Sequence, residues 1–144
     1  MQWETGPTAG FSDAGVASLY APVIDDKVYS PARVNVASQR ADPNSLLNVV
    51  RRMISIRKQH RAFGWGEFKL SDFGNKAIAA FQRTHYNETI LAIHNLSESN
   101  QKISHPMKKP VTSMTDLLTH QEFFPVKEDL KIELMPYQYL WLKE

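Results

Sequence analysis

The stretch "ADPNSLLNVVRRMISIRKQHRAF" constrains the fold of this chain more than any other. Asp42 suits an N-cap, and Pro43 suits the first helical position, where its missing N–H leaves nothing unsatisfied. The pattern predicts a helix that runs to about His60. At about 100° per residue, Leu46, Leu47, Val49, Val50, Met53, Ile54 and Ile56 share an apolar face roughly 180° wide. Asn48, Arg51, Arg52, Ser55 and Gln59 lie opposite. Half of this cylinder demands burial against something else.

The flanks differ in kind. Residues 1–42 show little periodicity, and a loop that long is uncommon inside a compact domain unless it is functional. Leu19, Tyr20, Val23 and Ile24 are its expected apolar contacts. From Gly64 onward, short β-prone runs follow one another: "GEFKLSD", "KAIAAFQR", "ETILAIHNL", "QKISHP", "VTSMTDLL", "LKIELMP" and "YQYLWLKE". Turns are expected at Phe73-Gly74-Asn75 and His85-Tyr86-Asn87. Runs at this spacing, with no helical pattern between them, predict an antiparallel sandwich. The expected organisation is mainly β, with a loop and helix over 1–62 and a β-sandwich domain over 63–144.

A chain of 144 residues, 42% hydrophobic and 22% charged, can bury one real core. Its formal charge of +2 gives no field for capturing a polyanion. The basic run Arg51, Arg52, Arg57, Lys58, His60 and Arg61 is better read as complementing a helix C-terminus than as a nucleic-acid surface. Arg57 falls near the middle of the apolar face, so it must snorkel or meet an acceptor. With no cysteine there is no disulfide, thiolate metal site or cysteine nucleophile, and a cytoplasmic location is the expectation. No apolar run approaches the roughly 20 residues of a membrane span.

Chemistry leaves no local signature. His60, His85, His94, His105 and His120 lack the spacing of a metal site, and His94, inside an apolar strand, is expected to be a hydrogen-bonded core residue. Asp25 with Asp26 and Glu128 with Asp129 are adjacent pairs of the kind found in solvated turns, not acid/base partners. No G-x-S-x-G elbow or glycine-rich phosphate loop occurs. Tyr137, Tyr139 and Trp141 alternate with Leu140 and Leu142. An aromatic row of that kind could stack on sugar rings, which keeps a carbohydrate-binding module in play. The competing reading is a strand covered on both faces, by its partner sheet and by a neighbouring domain.

"MQW" followed by "AGFS", then "VNV" with "DPNSLLN", "RRMISIRKQHRAFGWGEF", "ETILAIHNLS", "DLLTHQEF" and "PYQYLWL" resemble, in order, the C-terminal portion of the α-amylase superfamily. Within it the chain looks most like the trehalose synthases, maltose α-D-glucosyltransferases that interconvert maltose and trehalose; oligo-1,6-glucosidases come next. The spans "VNVASQRADPNSLLNVVRRM" and "RKQHRAFGWG" favour the first. The resemblance implies a (β/α)8 barrel followed by a β-sandwich, with the 42–60 helix as the barrel's last. Met1 would fall in the loop after the eighth strand, and the Arg-Thr-Pro that usually precedes Met-Gln-Trp is missing, so a truncated piece is expected. The family works by retaining double displacement with an Asp nucleophile, a Glu acid/base and a second Asp. No residue here matches those motifs; the chain alone is expected to be inactive, without cofactor or metal. Its implied partner is the rest of the barrel, with maltose and trehalose as the parent's substrates; the isolated piece is expected to self-associate. Gln2, Trp3 and Phe11 would help to shape a closed, water-poor sugar pocket, or simply anchor their loop.

Overall fold

The computed structural model describes residues 1–107 and 110–144, and the chain divides into two compact units, 1–53 and 54–144. In the first unit the long loop is ordered by hydrogen bonds more than by apolar packing. Helix α1 (Val36–Ala41) is absent from the sequence expectation, because six residues are too short to show a period. It forms because the fully buried Asn35 caps it, accepting from Ser38 N–H at 2.7 Å while donating to the Pro31 carbonyl at 2.8 Å. Of the loop's expected apolar contacts, Tyr20 and Ile24 project into solvent, while Leu19 and Val23 are half-buried.

Helix α2 (Leu46–Gln59) starts three residues later than the Pro43 expected. Asp42 closes α1 instead: its N–H donates to the Ser38 carbonyl, and its carboxylate accepts from Asn44 N–H at 2.8 Å. The cap falls to Ser45, whose hydroxyl accepts from Asn48 N–H at 3.3 Å and donates to the Gln39 carbonyl at 2.6 Å. Arg57 and Lys58 occupy the last turn, where cations face the negative end of the helix dipole. Arg57 is exposed, as snorkelling requires. No α2 residue is buried. Leu46, Val50 and Ile54, one turn apart, are 74%, 42% and 48% exposed.

The second unit is a sandwich. Strands β1 (Glu67–Leu70), β2 (Ile78–His85), β3 (Glu88–Asn95), β8 (Tyr139–Lys143), β5 (Met114–Asp116) and β6 (Glu122–Phe123) form an antiparallel sheet in that order. Strands β4 (Gln101–Pro106) and β7 (Asp129–Leu134) pair antiparallel as the second layer. Ile93 lies opposite both Ala80 and Leu140, and Leu91 opposite Leu142, so the centre of one face of the large sheet is apolar. It packs on Ile103, Leu130, Ile132 and Leu134 to make the core.

The central strands are apolar on their other face too, because a helix of this same chain covers it. Helix α3 (Arg61–Trp65) sets Phe63 on Trp141 with ring centroids 4.6 Å apart, above the fully buried Ile90 and Ala92. Arg83 fixes α3 there, donating to the Ala62 carbonyl at 3.2 Å and to the Phe63 carbonyl at 3.1 Å. A Cβ at Gly66 would lie 2.5 Å from the Ala62 carbonyl oxygen, so only glycine allows the chain to turn so closely from α3 into β1. The expectation that a neighbouring domain covers this face is thus corrected around Trp141. The two units divide after residue 53, whereas the sequence reading draws its boundary at 62.

Candidate functional site

The opening residues build a concavity within the first unit. Trp3 N–H donates to the Ala9 carbonyl at 2.9 Å, and the carbonyls of Gln2 and Trp3 accept from Val36 and Ala37 N–H, each at 2.9 Å. The loop backbone thereby satisfies two of the amides that α1 leaves free at its N-terminus. Gln2 is buried, and its amide donates to the Tyr29 carbonyl at 2.8 Å. The chain reverses through Ala9 and Gly10 in the left-handed region, at φ 51° and 73°; a Cβ on Gly10 would stand 2.8 Å from that of Trp3.

The resulting cavity, about 570 Å³, is bordered by Gln2, Phe11, Tyr20, Val23, Ile24 and Tyr29. Two of the three expected pocket residues, Gln2 and Phe11, are brought together. Trp3 is half-exposed and does not border the cavity. No carboxylate or histidine lines it among the described residues, so its walls can hold and orient a neutral ligand but supply no acid/base pair.

Tyr137, Tyr139 and Trp141 do not form one exposed row. Pro136 and Tyr137 are the central residues of a turn closed by Gln138 N–H on the Met135 carbonyl at 3.1 Å, and Tyr137 has φ 55°. Strand β8 therefore begins only at Tyr139. Trp141 is buried under Phe63.

His94 lies half-buried on the sheet's outer face, its ring parallel to those of Phe81 at 6.1 Å and Tyr139 at 6.4 Å. Among the described residues it is held by ring packing, not by the side-chain hydrogen bond expected, and burial lowers its pKa. One carboxylate of each adjacent pair serves a turn or strand end: Asp26 accepts from Val28 and Tyr29 N–H, and Asp129 from the Ser104 hydroxyl at 2.6 Å. No cluster of possible metal ligands occurs among the described residues.

Sequence reasoning misses one cluster entirely. His60 Nδ1 lies 2.7 Å and Lys143 Nζ 3.0 Å from Glu88 Oε1, while Ala62 N–H donates to Oε2 at 3.0 Å. Burial alone would raise the Glu88 carboxyl, but hydrogen bonds from His60, the Ala62 amide and Lys143 outweigh it and hold the group at about 2. Nothing local links residues 60, 88 and 143; only the strand register and the α3 docking do. The cluster ties the residue that follows α2 to the sheet.

The second unit is thus an antiparallel β-sandwich whose outer face is covered around Trp141 by a helix of the same chain. Residues 68–141 match the model of the maltogenic amylase C-terminal domain, and the chain belongs to that family. Among curated proteins it is 34% identical over 143 residues to a trehalose synthase of Thermus thermophilus, covering 95% of this chain and 14% of that protein. It is 35% identical over 127 residues to a trehalose synthase/amylase of Mycobacterium tuberculosis, covering 85% and 21%. An oligo-1,6-glucosidase of Parageobacillus thermoglucosidasius is 28% identical over 138 residues, covering 96% and 23%. The chain thus spans less than a quarter of these relatives. A solved Bacillus licheniformis trehalose-6-phosphate hydrolase superposes with TM-score 0.73 at 19% identity, over 99% of this chain and 24% of that one, and shares the fold. No helix among the described residues is long and apolar enough to cross a membrane.

Proposed function

We propose that this chain is the C-terminal structural part of a trehalose synthase, acting with a catalytic barrel that interconverts maltose and trehalose by retaining intramolecular glucosyl transfer. The observation that carries the reading is α2: Leu46, Val50 and Ile54 form an exposed apolar stripe on an otherwise well-formed helix. Such a stripe is stable only when something apolar covers it. The last helix of a barrel, laid over barrel strands, meets that need. Identity supports a trehalose synthase over an oligo-1,6-glucosidase, at 34–35% against 28%.

On this reading the chain supplies no catalytic group, and the Asp, Glu and Asp of the retaining mechanism belong to the barrel. Gln2 and Phe11 border the sugar pocket from the loop after the last barrel strand, with Trp3 anchoring that loop. Their part is to hold the freed glucose away from water until it is reattached through a different hydroxyl. A chimera tests the reading, with this chain replacing the matching segment of the Mycobacterium tuberculosis relative. The chimera should convert maltose to trehalose while the 144-residue chain alone turns over neither sugar. A folded chimera without that conversion, or turnover by the chain alone, would contradict it.

A further inference from the structure

We propose that the open end of the sandwich, between the β2–β3 hairpin and the end of β4, binds a neutral sugar at a site separate from the pocket of the first unit. Side chains alternate along a strand, so Gln82 and Thr84 follow Ala80 onto the inner face of β2, and Thr89 precedes Leu91 onto that of β3. Ala80 and Leu91 are buried in the core, whereas Gln82 is half-buried and both threonines are exposed. The apolar core therefore gives way to a polar floor. Thr84 and Thr89 are cross-strand partners with hydroxyls 3.2 Å apart.

The cleft over this floor holds about 580 Å³ and is bordered also by Tyr86, Asn87 and His105. That is the size range of small-molecule pockets. His105 packs against Phe73 with tilted rings 5.2 Å apart, which fixes that wall. The amides of Gln82 and Asn87 have no hydrogen-bond partner among the described residues. Lys143, which also borders the cleft, is engaged by Glu88 at 3.0 Å.

Tyr86 supplies the independent observation. It is the first central residue of the two-residue turn that joins β2 to β3, with φ 50° and 90% of its surface exposed. Asn or Gly fits that left-handed position without strain, so the turn itself does not call for a tyrosine; its ring meets that of His85 edge to face at 4.5 Å and is otherwise open to solvent. An exposed ring beside unengaged amides and paired hydroxyls is the chemistry that recognises a polyhydroxylated ligand. The ring takes a sugar's C–H face, and the amides and hydroxyls take its hydroxyl groups.

The test is a titration of the isotope-labelled 144-residue chain with maltotriose, followed by the amide spectrum. The side-chain amides of Gln82 and Asn87 and the backbone of residues 82–89 should shift saturably, with a dissociation constant of about 1 mM. Tyr86→Ala should weaken binding about tenfold. Gln82→Ala should weaken it about fivefold. Retained dispersion of the β3 and β8 signals verifies the fold of each variant. No saturable shift at 82–89, shifts confined to residues 1–29, or an affinity unchanged by Tyr86→Ala would overturn the proposal. The outcome is independent of whether the chimera isomerises maltose.

Discussion

Replacing Glu88 by glutamine should destabilise the sandwich in a pH-dependent way. The carboxylate accepts from His60 and Lys143 on one oxygen and from Ala62 N–H on the other. Glutamine has a single acceptor oxygen, so either its NH2 meets the Ala62 N–H, or it meets His60 and Lys143. A charge-assisted hydrogen bond lies at the upper end of hydrogen-bond contributions, and the partial exposure of Glu88 discounts it, leaving a loss of about 2 kcal/mol. For a unit of this size that lowers Tm by about 10 °C.

The sign with pH follows from the depressed carboxyl. Its pKa falls from 4.5 to about 2 on folding, so its stabilisation is complete above pH 4.5 and is lost as pH falls toward 2. Thermal unfolding followed by circular dichroism should therefore show a wild-type advantage at pH 7 that narrows by pH 3. A Tm difference under about 2 °C at pH 7, or a gap unchanged at pH 3, would refute the assignment.

Other substitutions probe the remaining contacts. Asp116 is fully buried and accepts from Trp141 N–H, Thr119 N–H and the Thr119 hydroxyl, so Asp116→Ala should cost about 3 kcal/mol in urea unfolding by stranding two backbone donors. Leu142→Ala, which opens a cavity at the centre of the core, should cost about 3 kcal/mol by the same measurement. The chain should self-associate through α2 as its concentration rises. Light scattering should show that Val50→Glu, at an exposed position, reduces this with Tm nearly unchanged.

Most of the sandwich is legible in the sequence because alternation is local. "ETILAIHNL" and "LKIELMP" mark β3 and β7 directly, and the His85-Tyr86-Asn87 turn stands where predicted. The two-residue β6 and the six-residue α1 carry too few residues for a period and exist through partners distant in sequence. In "DPNS" two capping residues compete. The choice of Ser45 is made by the Gln39 carbonyl, which no local rule anticipates. The β8 aromatics mislead because alternation cannot reveal that α3 folds back over Trp141 or that Pro136 turns the chain ahead of Tyr139. Of the pocket residues, Gln2 and Phe11 converge because the loop backbone binds α1, and Trp3 stays outside because it packs along Gly10.

The exposed stripe on α2 is best tested by hydrogen exchange of residues 46–59 in the isolated chain and in the chimera with the Mycobacterium tuberculosis barrel. Covering Leu46, Val50 and Ile54 should slow α2 exchange in the chimera by about a hundredfold, while β3 amides, already inside the sandwich, change little. Equal protection of α2 in both proteins would contradict the claim that this helix is built to lie on a barrel.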